Sequence, residues 1–396
     1  MVRRGRSGRT TISVCNELLD SIETQKHCYM KGHNRLRDLL INTRPHRDRY
    51  GTRPAVRSAF AKALRCQTPE LGAEVFASEH EEQVFCHTCK SRPCSSCGFR
   101  ATVRWQREWW AALPDVPYKG ITFTMPDVLW PLFHDNPHLT EALSALAAKI
   151  IQTRVSIRSS LRVGVMAILH TFNGKLEFNS HVHTMVTAGG LYGLSDSWVR
   201  TVYYDRAALL ESWRRAVIKL LRTALRVGQL VSALTVDELE VLLGEQETPW
   251  WSVNIKSFKS KDHFLRYAGR YIRRPPIAQR RVSFVGRRIV RFWYRDKKVR
   301  RRVDVQCSPE EFVERWSQHI PERYRHAVRS FDLFAPRSMQ KTFDSVFAIL
   351  GQERRPRPRP RRWAESIKRD FGRDPLLDSK GKRMRWVRRI APRASC

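Results

Sequence analysis

Two histidines, one residue apart, sit in Leu176-Glu177-Phe178-Asn179-Ser180-His181-Val182-His183-Thr184-Met185-Val186. On a strand alternate side chains share a face, so His181 and His183 point the same way. Two imidazoles about 7 Å apart along one strand can converge on a single divalent metal. A second reactive group lies downstream, in Tyr267-Ala268-Gly269-Arg270-Tyr271. A spacing of four puts Tyr267 and Tyr271 on one helical face, with Phe264 and Ala268 beside them. Arg266, Arg270, Arg273 and Arg274 crowd the same helix, and a core stripe alone does not require them. A phenol attacking a phosphodiester does need such cations, and a metal, to carry the developing charge.

The remaining chemistry is sulfur. Cys86-His87-Thr88-Cys89 and Cys94-Ser95-Ser96-Cys97 form two C-x-x-C knuckles. Such pairs clamp a tetrahedral zinc through tight turns. Cys86, Cys89, Cys94 and Cys97 are the expected ligands, with Cys66 and His80 as substitutes or members of an enlarged site. An iron–sulfur cluster or a metal-free loop are the alternatives. Arg92, Arg100, Arg104 and Arg107 would let the clip double as a DNA contact.

Composition narrows the partner. A formal net charge of +35 over 396 residues attracts phosphate backbone in a salt-dependent way. No apolar run approaches the ~20 residues of a membrane span, so a membrane partner is not expected. The Arg-rich start, including Arg3-Arg4-Gly5-Arg6, lacks an apolar signal core, which points to a cytoplasmic, nucleoid-associated protein. Nine cysteines, four of them clustered, fit a reducing compartment with a metal site.

These groups need elements to hold them. Asn173-Gly174, between the apolar run from Val163 to Leu169 and the histidine stretch, predicts a hairpin. A two-residue turn there would set His170 opposite Glu177, His181 opposite Met166 and His183 opposite Gly164, whose missing side chain leaves room. His170 would then lie roughly 13 Å from His181, too far to be a direct ligand, leaving the third ligand to another element. Gly120 to Pro126 reads as a buried strand. Helices are expected over 139–161 and from Asp205 to Val227, with shorter ones from Arg53 and over Glu310 to Trp316, and Val14 to Ser21 has a short helical pattern. Trp105, Trp109 and Trp110 read as a core stripe. Arg280 to Val305 reads as strands with a basic face, including Arg287, Arg288, Arg291, Lys297 and Arg300. Arg354 to Arg362, with interleaved prolines, reads as a linker or extended DNA-binding tail. The class is α+β, an antiparallel sheet covered by helices and preceded by a small zinc-binding domain.

His181-Val182-His183 followed by Gly189-Gly190-Leu191, with Tyr267 and Tyr271 downstream, resembles the two-tyrosine HUH transposases of rolling-circle insertion sequences. Cys66-Gln67-Thr68-Pro69-Glu70-Leu71-Gly72 and Ser91-Arg92-Pro93-Cys94 match that family's zinc-binding domain. Phe123-Thr124-Met125-Pro126, Leu169-His170-Thr171, His319-Ile320-Pro321 and Asp374-Pro375-Leu376 extend the match in order. The resemblance implies a transposase in which a tyrosine attacks single-stranded DNA at the element's end. The products are a 5′-phosphotyrosine and a free 3′-hydroxyl. Mg²⁺ or Mn²⁺ would be held by His181 and His183, and Zn²⁺ would be structural. The DNA would be the single-stranded or hairpin ends of a mobile element and its target. A plasmid replication initiator or relaxase, or a non-catalytic DNA-binding remnant, are the alternatives. The expected domains are a basic accessory segment over 1–52, the zinc-binding domain over 53–112, the catalytic domain over 113–345 and a basic tail over 346–396. Three departures from the family stand out: Ser78-Glu79-His80 where it has a first zinc knuckle; Asn179 where it often has a histidine, expected to orient a ligand rather than bind metal; and Asp378-Ser379-Lys380-Gly381-Lys382 where relatives carry another cysteine pair, so no metal is expected there.

Overall fold

The computed structural model describes residues 34–44, 53–95, 97–192, 197–248, 251–272, 275–296 and 299–392. The Arg3-Arg4-Gly5-Arg6 arm, the Val14 to Ser21 pattern and residues Arg273, Arg274 and Lys297 lie outside them.

The first described elements are α1 (Arg35–Asn42) and α2 (Pro54–Arg65), the latter opened by a proline at its first turn, where no amide hydrogen is needed. Strands β1 (Ala73–Ala77) and β2 (Glu82–Cys86) pair antiparallel, and α3 (Gly98–Ala112) follows the cysteine loop. The central layer starts with β3 (Tyr118–Thr124) and is followed by α4 (Trp130–Asp135) and the long α5 (Pro137–Ser159). Next come β4 (Leu161–Arg162), β5 (Gly164–Phe172), β6 (Phe178–Thr187), β7 (Gly190–Tyr192) and β8 (Trp198–Val199). Asp205 caps α6 (Arg206–Arg226) by accepting the amides of Ala207 and Ala208, and a Thr235/Glu238 capping box starts α7 (Val236–Glu245). After β9 (Ser252–Phe258) come the tyrosine helix α8 (Lys261–Ile272), a three-stranded sheet of β10 (Val282–Val285), β11 (Val290–Arg295) and β12 (Arg302–Cys307), and α9 (Pro309–Ser317). The chain closes with β13 (Val328–Asp332), α10 (Pro336–Lys341), α11 (Phe343–Ile349), α12 (Trp363–Phe371) and β14 (Arg385–Ile390).

Five strands make the central sheet in the order β13-β5-β6-β3-β9, every neighbour antiparallel. One face, bearing Ile121, Phe123, Val165, Ala167, Val182 and Val186, is sealed by α5 and α6 in the largest core. The opposite face, bearing Tyr118, Met166, Ile168 and Met185, meets α8, Phe334 and α11. Helices therefore lie on both faces of this α+β fold, and the face under α8 carries the histidines. Trp105 and Trp109 pack against that second core, whereas Trp110 is exposed and lies beneath the cations of Lys261 and Arg355.

Three expectations need correction. The β5–β6 connection is not a two-residue turn: Phe172 pairs with Phe178, leaving Asn173 to Glu177 as the loop. Asn173 Oδ1 accepts the amides of Lys175 and Glu177, and Leu176, at φ +63°, inserts fully buried into the core that joins α1, α2, β10–β12 and α9. His319 and Arg281 donate to the carbonyls of Leu176 and Gly174, so tertiary anchoring outweighs the local Asn-Gly preference. Gly164, second, makes room for Phe334, not for a histidine: a Cβ there would lie 2.5 Å from that ring. Third, the C-terminal segment is no separate tail. β14 pairs with β1 to complete the sheet β14-β1-β2, Trp363 of α12 packs on Phe85, and the Ser78 hydroxyl donates to Asp378 at 2.7 Å. α1 and α2 share their core with β10–β12 and α9, while Cys66 at the end of α2 reaches the cysteine loop. Among the described residues no helix is long and apolar enough to cross a membrane.

Candidate active site

The longer loop and a one-residue irregularity between His170 and Phe172 move the register. His181 stands opposite His170, not Met166, and His183 stands opposite Ile168. His170 thereby joins the pair it was expected to miss, and the ring nitrogens of His170, His181 and His183 lie within 4.8 Å of one another. His170 and His183 are buried and His181 half-buried. A carbonyl oxygen can only accept, so a ring nitrogen facing one must carry the proton. His181 Nδ1 faces the Asn179 carbonyl at 2.8 Å and His170 Nε2 faces the Tyr271 carbonyl at 2.9 Å. The lone pairs are then on His181 Nε2 and His170 Nδ1, and His183 Nδ1 meets the Thr122 hydroxyl of β3 at 3.0 Å. Imidazoles whose tautomers are fixed by such partners are the usual holders of a divalent cation, so the donor set fits one. Asn179 contributes its carbonyl, and the Glu177 carboxylate accepts from Asn173.

Over this face lies α8. The Tyr271 ring stacks on His183 at 3.8 Å between centroids and stands 5.4 Å from His170. Tyr267 sits one turn back, 5.1 Å from Tyr271 and 4.9 Å from Phe258, and is buried where Tyr271 is half-buried. Burial, reinforced by the neighbouring Tyr271, pushes the Tyr267 phenol well above its ordinary value, and Arg270 pulls weakly the other way. Arg266 and Arg270 are exposed on the same helix. Gly269 lets α3 approach closely, with Gln106 donating to the Leu265 carbonyl at 2.9 Å.

That contact leads to the sulfur site. Cys66 at the end of α2, Cys89 and Cys94 in the loop, and Cys97 at the start of α3 bring their thiols within 4.8 Å of one another. The sulfur separations Cys66–Cys97, Cys89–Cys97 and Cys66–Cys94 are 3.6, 3.6 and 3.7 Å. Tetrahedral zinc with Zn–S bonds of about 2.3 Å needs sulfurs about 3.8 Å apart, so the four thiols fit structural Zn²⁺. Cys86 ends β2 paired with Ala73 and falls outside this group, as does His80, which sits in an exposed turn. The substitute Cys66 takes the place expected for Cys86, because the β1–β2 hairpin carries Cys86 away while the end of α2 returns to the loop. Around the clip Arg104 pairs with Glu108, and Arg107 donates to the Arg359 carbonyl.

The thiol clip lies in the first of two segments that match known transposases, the class being a transposase with a zinc-binding domain in front. Residues 41–125 match the family described as a transposase zinc-binding domain, and residues 164–342 match the family described as "Putative transposase". The sequence is 31% identical over 316 residues to the transposase for insertion sequence element IS801 of Pseudomonas savastanoi pv. phaseolicola, which spans 76% of this chain and 75% of that one. It is 25% identical over 302 residues to "Putative transposase y4qJ" of Sinorhizobium fredii, spanning 72% and 76% respectively. The chain belongs to the IS91-type family of insertion-sequence transposases, enzymes that act on DNA. No solved structure matches it significantly.

Proposed function

We propose that the protein cleaves and rejoins single-stranded DNA at insertion-sequence ends through a 5′-phosphotyrosine, as an HUH-type strand transferase in rolling-circle-like transposition. The observation that carries this reading is the stacking of Tyr271 on His183 within a cluster of three histidines. His170, His181 and His183 would hold Mg²⁺ or Mn²⁺, which when bound polarises the scissile phosphate and offsets its developing charge.

Tyr271, nearest the histidines, is the first nucleophile. Its Oη–P bond forms as the P–O3′ bond breaks, and the phenol proton passes to the departing 3′-oxygen. The products are a 5′-phosphotyrosine and a free 3′-hydroxyl. The new ester conserves the energy of the old one, so no nucleotide cofactor is needed. Tyr267, buried and protonated behind Tyr271, serves the second cleavage once its partner carries DNA. Arg266 and Arg270 on the exposed side of α8 neutralise the incoming strand; Arg273 and Arg274 carry the same role in this reading. His170 also donates to the Tyr271 carbonyl, which registers the nucleophile helix on the metal face.

The test is metal-dependent cleavage of a labelled single strand spanning the element's end. Wild type should cut with Mg²⁺ or Mn²⁺ and not with EDTA. His170→Ala, His181→Ala and His183→Ala should each lose at least about a hundred-fold in rate, the scale of losing a positioned electrostatic group. Cutting of duplex DNA alone, or full activity in all three variants, would overturn the proposal.

A further inference from the structure

Beside the histidine face, among the described residues, lies a cleft of about 440 Å³ that the reaction above leaves unused. Phe172 links the two places: its ring stacks 5.2 Å from His170 on one side and stands 5.5 Å from His319, a cleft wall, on the other. Phe178 lies nearly parallel to His319 at 6.4 Å and takes the edge of His134 at 5.1 Å. Phe172, Phe178, His134 and His319 all line the cleft, so part of its wall is aromatic surface on which a ring can lie.

The charges around the cleft argue against a phosphate. Arg53 pairs with Glu322 at 2.6 Å and Arg325 with Glu141 at 2.5 Å, both within the lining. In a protein of net charge +35, a mouth with two of its three arginines matched by carboxylates, and Glu314 also in its lining, suits an uncharged flat group with hydrogen-bonding edges. Gln318, Thr171 and Ser317 supply further polar atoms in the lining. His319 donates to the Leu176 carbonyl and meets the Thr171 hydroxyl at 3.3 Å, so its plane is fixed.

We propose that this cleft captures one unstacked nucleobase of the single strand, next to the phosphate positioned at His170, His181 and His183. The inference rests on the single-strand reading of the site. Aromatic stacking would supply affinity, and the carboxylate and amide edges would bias the base accepted, which makes the cleft a specificity determinant for the cut end. Arg92 and Pro93 from the zinc loop line the same cleft, so the zinc-binding region would contribute to reading that base.

The experiment uses the zinc-loaded full chain without added Mg²⁺ or Mn²⁺, with short oligothymidine carrying one 5-iododeoxyuridine, irradiated in the near ultraviolet, and maps the attached peptides. Attachment within Phe133–Glu141 or Phe172–Phe178 is expected, with binding weakened about ten-fold by Phe178→Ala. His134→Ala removes an exposed ring at little risk to folding and should lower the cross-link yield severalfold. Attachment only elsewhere, such as β10–β12, would overturn the proposal, as would equal attachment to duplex, binding without attachment, or no binding. Covalent tyrosine adducts are measured in parallel with Mn²⁺. Adducts without cleft attachment remove the base site and leave the proposed reaction standing. Cleft attachment without adducts keeps the base site and removes the reaction.

Discussion

His170 is where the histidine face and the tyrosine helix meet: one ring nitrogen is committed to the Tyr271 carbonyl, and its neighbours are His181 and His183. A second histidine, His319, shows the opposite use of the same side chain. Burial pushes its pKa down to about 4, and it stays neutral while donating to Leu176. Between about pH 6.5 and 4 the unfolded chain binds a proton at this position that the folded chain does not. Stability contributed by the neutral ring is therefore intact above the unfolded value and lost as the pH falls through that window, by up to about 3 kcal/mol. Denaturant titrations should show wild type losing stability more steeply than His319→Gln over this range. Parallel pH dependences would contradict the assignment.

Among the elements, the β5–β6 hairpin decides whether there is a site at all. The alternation that puts His181 and His183 on one face, the tyrosine pair at helical spacing, and the α5 and α6 amphipathic runs were all legible, because each depends on residues close in the chain. The register was not. Leu176 reads locally as the start of a strand, yet it is drawn into the core formed with Trp316, Phe292 and Leu36, all distant in sequence. That displacement of the turn, together with a one-residue register shift between His170 and Phe172, is what sets His170 opposite His181. Leu176→Ala should cost about 2–5 kcal/mol, as for other buried leucines, and should weaken Mn²⁺ binding by the histidines because the loop no longer fixes the pairing. Unchanged Mn²⁺ affinity in a clearly destabilised variant would show that the register does not depend on this anchor.

At the scale of the whole molecule, the zinc clip and the tyrosine helix are mechanically joined. Cys97 starts α3, α3 lies against α8 at Gly269, and α8 carries both tyrosines. The knuckles themselves were plain in the sequence, but the exchange of Cys86 for Cys66 and the return of β14 onto β1 were not, since pairings between distant segments leave no local period. Elemental analysis should find zinc lost in Cys66→Ser and retained in Cys86→Ser; the reverse would move the site. Removing the zinc should also lower single-strand cleavage, through loosening of α3 against α8.

The central claim is that Tyr271, stacked on His183, makes the first covalent bond to DNA. Its most direct test is mass-spectrometric mapping of the DNA-linked peptide after incubation of the full chain with the single-stranded element end and Mn²⁺. The account predicts a 5′-phosphate on Tyr271, formed in Tyr267→Phe and abolished in Tyr271→Phe. An adduct that persists when both tyrosines are replaced by phenylalanine, or one found only on Tyr267, would contradict it.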